Sequence, residues 1–118
     1  MITNSTQALF QDIRNWAHAR NLINGSTPTA QALKGVSEYG EMADAVLKND
    51  IEKVVDGVGD VLVVLTIVCE QLNIDILDCV QAAYNEIKDR QGVMYNGAFI
   101  KSTDDRYSAI LVELGLDK

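Results

Sequence analysis

Two pairs of acidic side chains stand at helical spacing in this chain. Glu38 and Glu41 are three residues apart, and Asp56 and Asp60 are four residues apart. Residues at these separations share one face of a helix, so each pair presents two carboxylates side by side. Bringing four anions together is unfavourable unless a cation neutralises them. The pattern therefore predicts a site for a divalent metal ion, and metal ions held by carboxylates commonly serve phosphate chemistry.

Asp60 is the acidic residue that is hardest to explain as part of a solvated surface. It directly precedes the apolar run Val61–Cys69, so its helix is expected to be largely interior, where an aspartate needs a partner. Lys53 could pair with Asp56, but no basic residue lies three or four positions from Asp60. A metal ion that also binds the first acidic pair would neutralise the Asp60 carboxylate. For that first pair alone, an ordinary solvated helix face remains the alternative.

The composition is that of an acidic globular chain. Of its 118 residues 47% are hydrophobic and 23% are charged, and the net charge is −7. We therefore expect one domain over residues 1–118 and no nucleic-acid partner, because the phosphate backbone would be repelled. The apolar run is too short to span a membrane, and we expect no secretory segment before the domain. The chain is expected to be cytoplasmic.

The available ligand types restrict the metal. His18 is the only histidine and is expected at a surface or helix end. A multi-histidine site is thereby excluded, and the remaining oxygen ligands favour Mg²⁺, Mn²⁺ or Ca²⁺ over Zn²⁺. Cys69 and Cys79 are the only cysteines, and we interpret them as buried free thiols of a cytosolic protein.

Hydrophobic periodicity and cap residues predict four helices, a hairpin and a short final helix. The third segment is rich in valine and isoleucine, which locally favours a strand, but its length and the spacing of its acids favour a central helix, apolar on nearly every side. Asn96-Gly97 predicts a two-residue hairpin turn. The first and fourth helices are predicted to begin after the caps Ser5 or Thr6 and Asn73 or Asp75. The others are predicted to begin at Pro28, Ile51 and Asp104, the last capped by Ser102 or Thr103. The five predicted helices end near Arg20, Leu47, Leu72, Gly92 and Leu114.

Several side chains have both a structural and a functional interpretation. Trp16 is expected to pack in the core, the alternative being that its ring stacks on a nucleotide base. Asn85 and Lys88 share one face of the fourth helix, with Arg90 close by. They are ordinary surface residues if considered alone, but suitable phosphate ligands if they face a metal site. The buried stripe of the second helix is expected to comprise Leu33, Val36, Gly40, Ala43 and Leu47.

Three segments together resemble a known family. They are Ser37–Met42 (Ser-Glu-Tyr-Gly-Glu-Met), Gly59–Leu62 (Gly-Asp-Val-Leu) and Ala83–Lys88 (Ala-Tyr-Asn-Glu-Ile-Lys). These segments look like those of the MazG-type nucleoside triphosphate pyrophosphohydrolases, in the short single-domain form, and the similarity covers roughly residues 7–101. The family pattern is E-x-x-E followed by E-x-x-D, which is fairly specific when both halves occur in order.

The resemblance implies an all-α, four-helix-bundle-like fold that forms a homodimer or homotetramer. It implies binding of Mg²⁺, with Mn²⁺ as a possible substitute, and hydrolysis of (deoxy)nucleoside triphosphates to a monophosphate and pyrophosphate. Glu38, Glu41 and Asp60 match the positions of metal ligands, and one of the two glutamates would accept a proton. Asn85 and Lys88 correspond to positions that contact substrate. Lys34 and Arg90 are further candidates for binding phosphate, and Trp16 for binding the base.

One position departs from the family pattern. Where the family has glutamate three residues before the aspartate, this chain has Gly57, and Asp56 lies one position earlier. On a helix, position 56 points about 40° from the direction of Asp60, and position 57 about 60° to the other side. Asp56 is therefore a fourth candidate ligand from a shifted angle. The alternatives are a non-catalytic relative that kept the bundle for binding or assembly, and a plain helical interaction domain.

Overall fold

The computed structural model describes the backbone of residues 2–118 and the side chains from residue 5 onward. This part of the chain is mostly helical, as the predicted all-α class requires. Two compact units divide the chain, Met1–Val80 and Gln81–Lys118. None of the described helices is long and apolar enough to cross a membrane. The elements are α1 (Ile2–Ala19), α2 (Pro28–Leu47), α3 (Ile51–Gln71), α4 (Ile76–Ile87), β1 (Gly92–Tyr95), β2 (Ala98–Lys101) and α5 (Tyr107–Leu114).

Helices α2 and α3 begin where their cap residues predict. The hydroxyl of Thr27 accepts a hydrogen bond from the backbone N–H of Ala30 at 3.1 Å, and Pro28 occupies the first helical turn. The carboxylate of Asp50 accepts from the backbone N–H of Lys53 at 3.3 Å. The valine-rich third segment is therefore a helix, and the local strand preference of its residues is overridden.

Asparagine ends three helices of the first unit. Asn21, Asn49 and Asn73 have φ of 58°, 56° and 59°, in the left-handed region that asparagine tolerates better than most residues. The N–H of the following residue then bonds back to a carbonyl five positions earlier, which satisfies groups that the helix end leaves free. These bonds are Leu22 to Ala17 at 2.9 Å, Asp50 to Ala45 at 3.0 Å and Ile74 to Cys69 at 2.8 Å.

The α2–α3 pair forms the most extensive helix contact of the first unit. At Gly57 an added Cβ would lie only 2.8 Å from the Cβ of Met42, and at Gly35 it would lie 3.4 Å from Cγ1 of Val64. Contact pairs 42/57 and 35/64 run in opposite directions along the two helices, so α2 and α3 are antiparallel. The helix backbones approach closely because a side chain is missing at each point.

The predicted buried stripe of α2 is wrong. Its apolar members are exposed, with 66% of Leu33, 71% of Val36 and 82% of Leu47 accessible. The face that contains Gln31, Gly35, Glu38, Met42 and Ala45 packs toward α3 instead, and Gln31 and Ala45 are buried. Gly35 on this face and Gly57 on α3 allow the close approach. The missing side chains, and not the hydrophobicity of the stripe, therefore determine which face of α2 packs against α3. Glu38 is consequently half-buried.

Helix α1 is held to α3 at its C-terminal end. Ala17, Ile23 and Ile67 form a buried apolar cluster. Nε2 of His18 lies 2.6 Å from Oε2 of Glu70, and the side-chain amide of Gln71 donates to the carbonyl of Ile23 at 3.2 Å. These contacts fix the last turn of α1 and the loop that follows it. The helix itself begins at Ile2, earlier than the predicted start after Ser5 or Thr6.

The expectation of two buried thiols is half correct. Cys69 is partly buried, whereas Cys79 is exposed, and both are free. Burial and the neighbouring Cys79 thiol raise the pKa of Cys69 to about 11. The Cys69 thiol is therefore protonated at neutral pH and is a poor nucleophile.

The second unit contains the hairpin and α5. Asn96 and Gly97 have φ of 50° and 80°, the paired positive values of the predicted hairpin turn. Strands β1 and β2 are antiparallel and pair Val93 with Ile100. Ile100 and Ile110 of α5 are buried, and the hydroxyl of Tyr95 donates to Glu113 at 2.6 Å.

Two predicted helix ends in this part of the chain are wrong. Helix α4 is capped by Asp75, whose carboxylate accepts from the N–H of Leu77 at 2.8 Å, but it ends at Ile87 rather than near Gly92, which lies in β1. Helix α5 begins at Tyr107, and neither Ser102 nor Thr103 caps it. Asp104 organises the preceding turn instead, and hydrogen bonds from the Arg106 guanidinium and backbone N–H lower its pKa to about 2.

The two glycines of α3 give a matched test of the close helix contact. Gly57→Ala should lower the free energy of unfolding by about 1–3 kcal/mol, because the new methyl group meets the Met42 backbone. Gly59→Ala meets nothing within 4 Å and should raise it by up to about 1 kcal/mol through helix propensity. Urea unfolding followed by circular dichroism measures both. Equal effects of the two substitutions would contradict the packing described here.

Candidate functional site

An open cavity of about 360 Å³ lies between α2 and α3. Because the helices are antiparallel and close, the middle of α2 faces the first half of α3. Side chains from both helices therefore converge on one space. The cavity is lined by Glu41 and Asp44 of α2 and by Lys53, Asp56, Gly57 and Asp60 of α3.

Three of the four predicted metal ligands meet in this cavity. They are Glu41, Asp56 and Asp60. Glu38 does not line it; the side chain lies one turn earlier on α2, on the half-buried face toward α3. Gly57, which occupies the position of the family glutamate, is buried against Met42 and forms part of the cavity wall.

The three convergent carboxylates have no protein partner within the part of the chain that the structure describes. Glu41, Asp56 and Asp60 are exposed, and none takes part in the hydrogen bonds or ion pairs of residues 5–118. Asp44 differs, because its carboxylate lies 2.9 Å from Nζ of Lys48 and raises the pKa of that lysine.

The cavity also contains a cation. Nζ of Lys53 lies 4.0 Å from Oδ2 of Asp50, at the outer limit of an ion pair, and the Lys53 side chain is exposed. It is held only loosely by that carboxylate. Three carboxylates and one lysine are thus available to a ligand at this site.

The donor set suits a hard divalent cation. All the side chains that could coordinate a metal here offer oxygen, which Mg²⁺ and Mn²⁺ accept. Among the described residues, however, no group of three or more His, Cys, Asp or Glu side chains already stands close enough together to hold a metal ion. The predicted ligands share a cavity without forming a preassembled cluster, and the metal stays a prediction.

Asp60 also borders a second cavity, of about 430 Å³, between α1 and α3. Trp16 lines this cavity together with Asp12, Ile13 and Val63. The prediction that Trp16 packs in the core is wrong, because 44% of the side chain is exposed. The Arg20 guanidinium lies 4.7 Å from the centre of the indole ring. The alternative role of Trp16, in which its ring stacks on a nucleotide base, stays a prediction.

The remaining candidates lie apart from these cavities or in the second unit. Lys34 is exposed on α2 and lines neither cavity. In the second unit, Asn85 accepts a hydrogen bond from the side chain of Gln81 at 3.0 Å, so these two residues share a helix face. Lys88 follows the last residue of α4, and Arg90 lines a separate cavity in the same unit.

Sequence reasoning missed two acidic residues of these cavities, Asp12 and Asp44. Asp44 stands three residues after Glu41, and Asp12 four residues before Trp16. Asp44 therefore follows the same helical spacing as the first acidic pair, and Asp12 shares a helix face with Trp16. Neither stood out, since a single acid on an exposed helix face is common.

Comparison with known proteins gives one family and one relative. The family model of the MazG nucleotide pyrophosphohydrolase domain matches residues 27–93, which include α2, α3 and α4. The chain is 41% identical over 69 residues to an uncharacterized 18.2 kDa protein in the rep-hol intergenic region of Haemophilus phage HP1 (strain HP1c1). That match covers 58% of this chain but 42% of the phage protein. No solved structure matches.

The matched segment contains all four predicted metal ligands as well as Lys34, Asn85, Lys88 and Arg90. Trp16 lies outside the matched segment. The segment ends within β1, so it does not include most of the hairpin or α5. The match extends over more than half of the chain, and it includes both helices that build the carboxylate cavity, α2 and α3. The chain therefore belongs to the MazG nucleotide pyrophosphohydrolase domain family.

Proposed function

We propose that this chain hydrolyses (deoxy)nucleoside triphosphates to a nucleoside monophosphate and pyrophosphate at the carboxylate cavity of α2 and α3. The observation that carries the proposal is the convergence of Glu41, Asp56 and Asp60 on one cavity without protein partners. An acidic cavity repels a triphosphate unless a cation intervenes. The proposal therefore includes Mg²⁺, with Mn²⁺ as a possible substitute.

The metal would be held by Glu41, Asp56 and Asp60, with Glu38 available from the adjoining turn of α2. When bound, it would neutralise the triphosphate, orient the scissile linkage and lower the pKa of the attacking water. Glu41 is the better placed of the two glutamates to accept a proton from that water, because it lines the cavity. Glu38 is half-buried against α3. Lys53, in the same cavity, would stabilise charge on the phosphates.

Asp56 is proposed to take the role of the family glutamate. A side chain at position 57 would collide with the Met42 backbone, so this close helix pair has no room for a glutamate there. Asp56, one position earlier, lines the same cavity as Asp60.

The cavity beside Trp16 is the proposed place for the base. It shares Asp60 with the carboxylate cavity, so a ligand with phosphates at Asp60 has the indole ring within the adjoining space. Aromatic rings commonly stack on bases. Asn85 and Lys88 remain proposed contacts to phosphate or sugar because they match family positions that contact substrate. Lys34 and Arg90 remain further proposed contacts to phosphate. The proposed compartment is the cytoplasm, where free Cys69 and Cys79 stay reduced.

Substitutions within the cavity test the catalytic proposal. Glu41→Gln and Asp60→Asn should each lower pyrophosphate release by at least about 100-fold, because each removes a carboxylate from the site. Asp56→Asn should do the same if Asp56 replaces the family glutamate. Release of monophosphate and pyrophosphate from all dNTPs and NTPs, with Mg²⁺ and with EDTA, is the measurement.

Asp44→Asn is the matched control, because Asp44 lines the same cavity but is paired with Lys48. Its activity should stay within a few-fold of the unmodified chain. No turnover of any nucleotide with Mg²⁺ would refute the catalytic proposal. Metal binding without turnover would favour a non-catalytic relative. The sequence feature that supports this alternative is Gly57, which stands where the family has a glutamate. Increased thermal stability of all the amide variants, without metal binding, would favour a plain interaction domain.

We further propose that the chain forms a homo-oligomer through an apolar groove of the first unit. The groove encloses about 690 Å³ between α2 and α3 and is lined almost entirely by nonpolar atoms. Val36 and Leu65 line it and are 71% and 45% exposed. Exposed apolar surface of this kind is typical of an interface, and a second copy of the same antiparallel helix pair is self-complementary under two-fold symmetry. The proposed states are a dimer or a tetramer.

Val36→Glu should dissociate the oligomer, because it places a charge in the centre of the groove. The folded unit should persist, since Val36 does not contribute to its core. Leu116→Glu is the matched control, because Leu116 is 57% exposed and lies beyond α5. Light scattering coupled to size exclusion gives the mass. A monomeric unmodified chain, or an unchanged mass for Val36→Glu, would contradict this proposal.

A further inference from the structure

The β1–β2 hairpin has two unlike faces. In its register Gly92 pairs with Lys101, and Met94 with Phe99, so these four residues share one face, and Val93, Tyr95 and Ile100 share the other. Ile100 is buried and Tyr95 is hydrogen-bonded to Glu113 of α5, so the second face is the one covered by α5. The first face stays open, with Met94 61% and Phe99 48% exposed.

The ring of Phe99 is positioned by Gly92. A Cβ added at Gly92 would overlap the Phe99 ring, so the ring lies directly on the glycine backbone across the strand pair. Contact of this kind stabilises a hairpin that carries a glycine. It also holds the ring in place from one side, while about half of the side chain remains accessible.

Two cationic and two hydroxyl side chains line one cavity together with this ring. A cavity of about 480 Å³ is lined by Arg90, Gln91, Phe99, Lys101, Ser102 and Thr103. Within residues 5–118, neither Arg90 nor Lys101 forms an ion pair. The nearby Asp104 is already engaged by Arg106. In a chain of net charge −7, this cavity is a local positive site beside an aromatic surface.

We propose that Arg90, Phe99, Lys101, Ser102 and Thr103, here called the hairpin platform, bind a mononucleotide. The base stacks on the exposed part of the Phe99 ring. Arg90 and Lys101 bind the phosphate, and the hydroxyls of Ser102 and Thr103 donate hydrogen bonds to it. Stabilisation of the hairpin explains the position of Phe99 over Gly92, but not the two unpaired cations in the same cavity. An anionic aromatic ligand accounts for both.

The proposed platform needs none of the carboxylates of α2 and α3, although its Arg90 is also one of the proposed contacts to the substrate. It contains none of the proposed metal ligands, and its cations replace the metal as the partner of the phosphate. Nucleotide binding there persists without a divalent ion, whereas the proposed hydrolysis stops. The two proposals therefore fail separately: binding in EDTA tests the platform, and turnover with Mg²⁺ tests the carboxylates.

Titration of the full chain with AMP in EDTA, followed by ¹H–¹⁵N NMR, tests the platform. The amide signals of Arg90, Phe99, Lys101 and Thr103 should shift together and saturate. Adenosine and inorganic phosphate should each bind at least about tenfold more weakly, because each retains one of the two recognised groups. No shift of these signals up to about 10 mM AMP, or equal shifts with phosphate alone, would overturn the proposal.

Two variants separate recognition from folding. Phe99→Leu keeps an apolar side chain over Gly92 but removes the stacking ring, and Lys101→Gln removes one charge. Each should weaken AMP binding by about tenfold or more while the signals of Ile100 and Ile110 keep their positions. Lys118→Gln is the control, because it changes the net charge equally outside the platform. Unchanged binding by both platform variants, or equal weakening by the control, would overturn the proposal.

Discussion

The close contact between Gly57 of α3 and Met42 of α2 determines how the first unit is assembled. With only a hydrogen on Gly57, the α3 backbone can approach the backbone of α2 at this point, and Gly35 repeats the arrangement against Val64. The asparagine-ended turn at Asn49 joins the two helices and sets them antiparallel. All the side chains of the carboxylate cavity project from this pair, so its geometry follows from the same contact.

The contact also explains why the acids are distributed as they are. A larger side chain at position 57 would force the helices apart, which excludes the family glutamate from a pair packed as tightly as this one. An acid one position earlier, Asp56, keeps its backbone clear of the contact and lines the cavity beside Asp60. The position that departs from the family pattern is thus the tighter of the two glycine contacts between α2 and α3.

Sequence patterns predicted the elements well and the faces less well. The ends of α2, the helical nature of α3 and the Asn96-Gly97 turn follow from local chemistry, because a cap or a turn depends on a few adjacent residues. The face of α2 that meets α3 was predicted wrongly, because Leu33, Val36 and Leu47 form the more apolar stripe. Hydrophobicity predicts that a face will be covered, but not by which partner.

The candidate site, like the fold, could be predicted only in part from the sequence. Glu41 and Asp60 could be selected from spacing and family pattern, and Asp56 from helix geometry. Trp16 could not be placed, because its exposure depends on where α1 ends on α3, which His18 and Gln71 set through contacts distant in sequence. Asp44 and Lys53 join the cavity only because α2 and α3 are antiparallel in one register. That register depends on Gly57, whose role in packing is not visible in a helical pattern.

The proposed hydrolysis depends on one cation site shared by α2 and α3, and paramagnetic broadening by Mn²⁺ tests the location of that site directly. Substoichiometric Mn²⁺ added to the full chain should first broaden the ¹H–¹⁵N signals of Glu41, Asp56 and Asp60, because a bound paramagnetic ion relaxes the nuclei nearest to it. Excess Mg²⁺ should restore these signals by competition. Broadening confined to other acids, such as Glu70, Asp75 and Asp78 around a separate polar cavity, would contradict the account, as would the absence of selective broadening.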